Sequence, residues 1–213
     1  MARGPRRTAL GAGLRAAVLL VAGLVVGLVA AGCSAGTPAA PASPPPPTPL
    51  ARLNTAQLQL HRIPFCDLLP RSAVVDALGA RPTDHASWDN GAAASFVGGS
   101  GDRSQEFGCR FSAGSAVAEA WVFASPVDAT LAQQVIRDAL HQPGCRDVMA
   151  PSFGSPSHEQ LCRQDGTVRV RHAGLFGDTW LACQVSAPLS DTQVERRADA
   201  WCVQVANALN TAR

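Results

Sequence analysis

The sequence contains no lysine and no tyrosine, so all 18 of its basic residues are arginine. This skew is typical of a GC-rich genome and does not by itself indicate a function. The chain also lacks a Cys-x-x-Cys pair, a Gly-x-Ser-x-Gly nucleophile elbow and a Walker-type phosphate loop. These absences argue against a zinc ribbon, an α/β-hydrolase and P-loop nucleotide binding.

The chain has no apolar run long enough to span a bilayer. Its longest, Ala16 to Ala31, has 16 residues, fewer than the roughly 20 that a membrane helix needs. Arginines without any acid precede it, and the run ends in Ala30-Ala31, directly before Gly32-Cys33. A basic start, a short apolar core and small exit residues are typical of a secretory signal peptide. An uncleaved membrane anchor is the alternative.

The end of this leader resembles a bacterial lipoprotein signal, in which the cysteine is acylated and becomes the new N-terminus. This resemblance predicts a signal peptide over residues 1–32 and lipidation at Cys33, with diacylglycerol and palmitate-type chains. Because each buried methylene contributes about 0.8 kcal/mol, two or three chains anchor a protein firmly. The membrane would then be a partner through this lipid. Arg6-Arg7 leaves open whether export is general secretory or twin-arginine.

Removal of the leader changes the net charge. Four arginines leave with it, and 14 basic and 16 acidic residues remain, a net charge of −2. Because the basic isoelectric point of the chain comes from the leader, a general attraction to polyanions is not expected. Nucleic acid is therefore excluded as an expected partner.

Seven cysteines occur, and six remain once Cys33 is assigned to the lipid. An even set in an exported domain predicts disulfide bonds, with 15 connectivities open for six cysteines. One candidate set joins Cys145 to Cys162 across a Pro/Gly/Ser-rich loop and Cys183 to Cys202, leaving Cys66 with Cys109. A metal site is the alternative, but neither metal nor cofactor is expected.

Three segments follow from composition. Residues 1–32 form the signal peptide. Residues 33–51 form the lipidated cysteine and a proline-rich tether containing four consecutive prolines, which would hold a domain away from the membrane. Residues 52–213 are long enough for one folded domain with its own core.

Periodicity in this domain predicts helix, two strands, helix, two strands, helix. Helix signals begin at Pro70, at Ser125 with Pro126 in the first helical position, and at Ser190, which forms a capping box with Gln193. The predicted strands are residues 107–112, 116–124, 167–172 and 179–186. This order favours an α+β domain with an antiparallel sheet of about four strands and helices packed on one face. A mixed barrel is the alternative.

Three residues are candidates for ligand contact. Arg169 and Arg171 alternate on one side of a predicted strand and could form an anion-binding stripe, although a solvated sheet face explains them too. Trp88 lies in a Gly/Ser/Ala-rich segment, Ala80 to Gln105, which we interpret as a long loop that could line a groove. A short strand near Ser95 to Val97 could lie within it.

No catalytic residues can be assigned from motifs. His158 and Cys162 are four residues apart, as are zincin ligands, but Pro151 and Pro156 favour a loop there and Cys162 is expected to be oxidised. A triad assembled in space from scattered serines, aspartates and histidines stays open as the basis of a hydrolase.

Several short motifs together resemble the exported lipoproteins of unknown function that are common in actinobacteria. They are Cys66-Asp67-Leu68-Leu69 before a short helix, Cys109-Arg110-Phe111, Cys183-Gln184-Val185 and Trp201-Cys202 in the closing helix. The resemblance covers residues 64–209 and implies an envelope location and a disulfide-linked α+β domain. It implies no reaction. Cys145 and Cys162 are additions to the usual four cysteines. A looser similarity exists to the external sensor domains of actinobacterial receptor kinases.

The anchor, the tether and the lack of a catalytic motif favour a non-catalytic module on the outer side of the cell membrane. Such a module would bind an envelope ligand or dock on a membrane-protein partner. The alternatives are an envelope hydrolase and a carrier of an apolar ligand, which needs an enclosed cavity of at least about 300 Å³.

Overall fold

The structure is a computed structural model that describes residues 48–93, 103–148 and 153–211, which all belong to one compact unit, Pro44–Arg213. Three α-helices and seven strands account for most of these residues. The helices are α1 (Arg71–Leu78), α2 (Ala129–Ala139) and α3 (Asp191–Thr211). The strands are β1 (Asp84–Trp88), β2 (Glu106–Ala113), β3 (Ala116–Phe123), β4 (Cys145–Val148), β5 (Ser157–Gln164), β6 (Thr167–Phe176) and β7 (Thr179–Ala187).

All seven strands form one antiparallel sheet in the order β1-β2-β3-β7-β6-β5-β4. It consists of two meanders, β1–β3 and β4–β7, which meet where β3 pairs with β7. The chain must therefore travel from the middle of the sheet at β3 to its far edge at β4, and α2 lies in this connection.

The two faces of the sheet are covered by different helices. On β7, Leu181, Cys183 and Val185 point into the main core, which also contains the buried faces of α1 and α3. Trp180 and Ala182 point the other way, into a smaller cluster with Ala132 of α2. Such alternation follows from the two-residue period of a strand.

Local sequence explains the helix ends. Gly79, at φ 75°, ends α1 in the left-handed conformation, which glycine adopts without strain. The side chain of Asp128 caps α2 by accepting a hydrogen bond from the Leu131 N–H at 2.8 Å. At the start of α3, the Ser190 N–H donates to Gln193 Oε1 at 3.3 Å. The expected start of α2 at Ser125 was therefore three residues early, because Asp128 supplies the cap.

Three disulfides link different parts of the domain, namely Cys66–Cys109, Cys145–Cys162 and Cys183–Cys202. They are the pairs of the candidate set. The first ties the segment before α1 to β2, the second joins the edge strand β4 to its neighbour β5, and the third joins β7 to α3. Links of this kind are found in oxidising compartments outside the cytoplasm. In the chain-entropy model each contributes on the order of 3 kcal/mol.

The α+β class and the antiparallel sheet are confirmed, but the prediction of about four strands was wrong. Strands β1, β4 and β5 lie in segments that the sequence predicts to be loops, because these segments are polar or have prolines beside the strands. The expectation of helices on one face holds for α1 and α3 only. The second helix lies on the opposite face, where β7 also presents buried side chains. Ser95 to Val97 lie outside the described residues.

Leu50, which falls within the predicted tether, is 2% exposed and belongs to the main core. Within the described residues, no helix is both long and apolar enough to cross a membrane.

Gly108 of β2 is predicted to tolerate no side chain. It pairs with Trp88 of β1, and a Cβ added there would lie 2.0 Å from Trp88 Cζ2. The Trp88 indole N–H also donates to Glu106 Oε1 at 3.0 Å, so the ring cannot move aside without losing that bond. We expect Gly108→Ala to lower the free energy of unfolding by about 1–3 kcal/mol, measured by urea denaturation.

The Trp88→Ala background supplies the control, because removing the indole removes the clash. There the additional loss caused by Gly108→Ala should be much smaller. Equal losses in both backgrounds would contradict the proposed contact.

Candidate ligand-binding cavity

Helix α2 covers its face of the sheet incompletely. Ala132 is its only buried residue, and Val135 and Ile136 are half-buried against the smaller cluster. The helix is held at its start by the Val127 N–H, which donates to the Asp178 carbonyl at 2.8 Å. At its end, Gln160 Nε2 donates to the Ala139 carbonyl at 2.6 Å. Between these two attachments a space remains under the helix.

The space is a cavity of about 260 Å³. Ala173 of β6 and Ala182 of β7 are paired directly, and these two small side chains leave room where larger ones would fill the gap. Trp121 and Trp180 are the large side chains beside them. The lining residues are Trp121, Phe123, Val135, Ile136, Asp138, Ala139, Gln142, His158, Arg171, Ala173, Trp180 and Ala182.

Arg171 brings a cation to the cavity. Its Nε donates to Gln184 Oε1 at 2.9 Å, and its guanidinium carbon lies 5.1 Å from the centre of the Trp121 ring. Burial lowers the pKa of Arg171 to about 10, which leaves the side chain charged at neutral pH. Among the described residues, no acceptor is hydrogen-bonded to its two terminal nitrogens, so they are available to a ligand.

Arg171 is the end of a polar row that crosses four strands. The polar row consists of Arg110, Glu119, Gln184 and Arg171, each directly opposite the next in the sheet register. Arg110 Nη1 donates to Glu119 at 2.6 Å, and Gln184 Nε2 donates to the other Glu119 oxygen. Because every member is bonded to its neighbour, Arg171 is fixed in position by the sheet rather than by α2.

His158 brings an acceptor. Its Nδ1 lies 2.7 Å from Asp147 Oδ1 on β4, and its side chain is 3% exposed. The carboxylate selects the tautomer with the proton on Nδ1. The opposite ring nitrogen, Nε2, is buried and has no partner among the described residues. Burial is the main influence on the pKa of His158 and lowers it, so the imidazole is neutral at pH 7 and Nε2 is a bare acceptor.

The arrangement can bind a small molecule between aromatic walls, with a cation and an acceptor at fixed positions. An Asp–His pair can also act as a general base. None of the described residues that line the cavity is a serine, threonine or cysteine. This pair therefore lacks the neighbouring nucleophile that a covalent triad needs.

A second polar cluster lies on the opposite face, beneath α3. His172 is 1% exposed, with Nε2 2.9 Å from Asp199 Oδ1 and Nδ1 3.6 Å from Glu159 Oε2. Burial raises the pKa of Glu159 to about 7, although His172 acts to lower it. None of these residues lines the cavity under α2, so the cluster is not part of the candidate site.

The three residues that the sequence suggests for ligand contact lie in different parts of the structure. Arg171 lines the cavity, whereas Arg169 lies over the Cys145–Cys162 bridge, with Nη2 3.2 Å from Cys162 Sγ. Trp88 is on β1 and bonded to Glu106, and it does not line the cavity. No described residue between 80 and 105 lines the cavity either, so the groove expected there is not the site found. Residues 94–102 and Cys33 lie outside the described residues.

His158 was missed as a binding residue because its segment was interpreted as a loop. The available signal was alternation, since His158, Gln160 and Cys162 share one face of β5 while Glu159 and Leu161 share the other. His158 and Cys162 cannot act as a pair of metal ligands, because Cys162 forms a disulfide bond with Cys145.

No family model and no curated protein matches the chain. Among solved structures, the extracellular domain of PknH from Mycobacterium tuberculosis is similar over 71% of this chain and 98% of that domain, at 14% identity and a TM-score of 0.41. A GTP-binding regulator from Thermotoga maritima is similar over 72% of this chain and 96% of that protein, at 11% identity and a TM-score of 0.33. At these values neither similarity assigns a family or a function.

Glu159 should make the protein less stable as the pH rises. Its pKa in the folded state is about 7 against an ordinary value of 4.5, so between these values the folded state binds more protons than the unfolded state. The free energy of unfolding should therefore fall with rising pH in this window, by on the order of 3 kcal/mol from this group.

Glu159→Gln mimics the protonated form and should remove this contribution. Urea unfolding of both proteins at pH 5 and pH 7.5 measures it. We expect the variant to gain stability relative to the wild type between the two pH values. A constant difference would show that the carboxyl titrates normally.

Proposed function

We propose that the protein is a non-catalytic ligand-binding module, anchored by lipid at Cys33 on the outer side of the cell membrane, that binds a small molecule in the cavity under α2. The observation that carries this proposal is the combination, in one cavity, of aromatic walls with two residues that keep hydrogen-bonding atoms unused among the described residues: His158, at Nε2, and Arg171, at its two terminal nitrogens. Pockets with mostly apolar walls and a few convergent polar groups are typical ligand sites.

The cost of the unpaired groups supports the proposal. Buried polar atoms are almost always hydrogen-bonded in proteins, and an unsatisfied one costs about 1–3 kcal/mol. His158 Nε2 bears such a cost, and the Asp147 contact on Nδ1 prevents the ring from turning to relieve it. A ligand or water in the cavity would supply the missing donor.

The alternatives fit the cavity less well. A carrier of a lipid-like molecule would need a larger and more apolar space than about 260 Å³ with a guanidinium at its wall. A hydrolase with a protein nucleophile would need a hydroxyl or thiol beside His158, and no described residue that lines the cavity has one.

The location supports an envelope role. The basic leader, its short apolar core and Cys33 are the features of a lipoprotein precursor. The three disulfides belong to a domain that folds in an oxidising compartment. A domain on a proline-rich tether would present its cavity to solutes in the envelope.

Ligand binding should require the free volume of the cavity under α2. Ala182→Leu places a larger side chain on the cavity floor without changing Arg171 or His158. We expect indole, used as a ring-sized probe, to show saturation-transfer NMR signals with the wild type and none with this variant.

Ala129→Leu is the matched control, because it makes the same chemical change at an exposed position at the start of α2. It should bind indole as the wild type does. Binding that persists in the Ala182→Leu variant, or no binding by the wild type, would contradict a ligand site under α2.

Anchoring should depend on the thiol of Cys33. We expect the wild type to incorporate an alkyne-labelled palmitate in a bacterial host and to sediment with membranes. Cys33→Ser should abolish both, because serine cannot form the thioether to diacylglycerol. Thr37→Ala, in the tether, should leave both unchanged. A labelled Cys33→Ser protein or an unlabelled wild type would exclude the anchor.

A further inference from the structure

The positions of Arg171 and His158 define the shape of the molecule that the cavity fits. His158 on β5 is directly opposite Ala173 on β6, and Arg171 is two residues from Ala173 on the same face. The two residues are therefore diagonal neighbours, whose Cα atoms lie about 7–8 Å apart. The Arg171 side chain extends away from β5, across β7 to Trp121 on β3. The guanidinium and the imidazole thus approach the cavity from two different ends.

Arg171 and His158, at the two ends of the cavity, have opposite hydrogen-bonding character. Arg171 offers terminal N–H donors and a positive charge, which together select an anionic acceptor. His158 Nε2 is an acceptor only, because Asp147 holds the proton on Nδ1 and burial keeps the pKa of the ring low. A ligand group at this end must therefore donate a hydrogen bond.

The other residues that line the cavity restrict the charge of the ligand and the shape of its central part. Asp138, exposed at the rim on α2, adds negative charge to the opening, which disfavours a dianion. Trp121, Trp180 and Phe123 surround the alanine floor, and flat ring systems are packed well by such side chains. The middle of the cavity thus favours a ring-sized planar body.

On the premise of the ligand-binding function proposed above, the geometry points to small aromatic monoanions that carry a hydroxyl or N–H group at the end opposite the acid. Arg171 binds the carboxylate, the tryptophans pack on the ring, and His158 Nε2 accepts the hydrogen bond from the far end. An aromatic hydroxy acid has this pattern. Each end contributes separately, so the removal of either ligand group should weaken binding.

Four related probes test this pattern on the whole chain. They are 4-hydroxyphenylacetate, its neutral amide 4-hydroxyphenylacetamide, phenylacetate, which lacks the hydroxyl, and indole. We expect 4-hydroxyphenylacetate to bind at least about tenfold more tightly than the amide or phenylacetate, since each loses one charge-assisted or buried hydrogen bond. Titration calorimetry or competition against indole measures the ratios.

Two variants test which residue binds which end of the ligand. Arg171→Met keeps an unbranched, flexible stem and removes the guanidinium with its charge, so it should equalise the affinities for the acid and the amide. His158→Phe keeps the ring and removes the acceptor, so it should equalise the affinities for 4-hydroxyphenylacetate and phenylacetate. Arg169→Met is the control, because Arg169 is a neighbouring cation on the same strand that does not line the cavity, and it should preserve both preferences.

The outcomes separate this inference from the function on which it rests. If indole binds and the wild type shows no preference for the acid over the amide, the ligand class is wrong while the binding function stands. If no probe binds, including indole, both the ligand class and the binding function are wrong. The comparison of ligands on the wild type does not depend on whether a variant folds. A preference for the acid that survives in folded Arg171→Met would overturn the role of Arg171.

Discussion

The central strand β7 is buried on both faces, and much of the structure follows from this constraint. Every residue of β7 except Ser186 is buried, so both faces of the sheet need a cover. Helices α1 and α3 cover one face with a large apolar core, and the disulfide between Cys183 and Cys202 ties α3 to this strand. The other face is left to α2, a single short helix. One helix cannot fill that face, and the cavity is the space it leaves.

The parts of the fold that could be predicted are those whose residue pattern is contained within one helix or strand. In β3, buried residues alternate with half-buried ones from Ala116 to Phe123, and Gly79 ends α1 where its sequence position indicates. The parts that were missed are stabilised by distant partners. Strand β5 contains His158, Glu159 and Gln160, which are all buried and which no hydrophobic pattern would place inside. Strand β4 has only four residues and is joined to β5 by the Cys145–Cys162 bridge.

The candidate site was predictable only in part, for the same reason. Arg171 was identified because its alternation with Val170 is visible within one strand. The position of Arg171 depends on Gln184 and Trp121, which lie on two other strands, and the polar row becomes evident only from the register. Trp88 illustrates the reverse case. It belongs to the same cross-strand line as Gly108 and Trp121, but it lies on the edge strand β1 and does not line the cavity.

The sheet and the helix contribute different properties to the cavity. The two groups that would recognise a ligand, Arg171 and His158, are on adjacent sheet strands and are fixed by Gln184 and Asp147. Helix α2 contributes mainly apolar contacts and one exposed carboxylate, and it buries a single residue. Under the proposed function, selectivity would depend on groups that are already positioned before binding, which would reduce the ordering cost of association. Changes in the outer surface of α2 can alter how the helix covers the cavity without altering the polar groups beneath it. For a protein that binds a ligand there, the choice of ligand and the access to the site would therefore be physically separable.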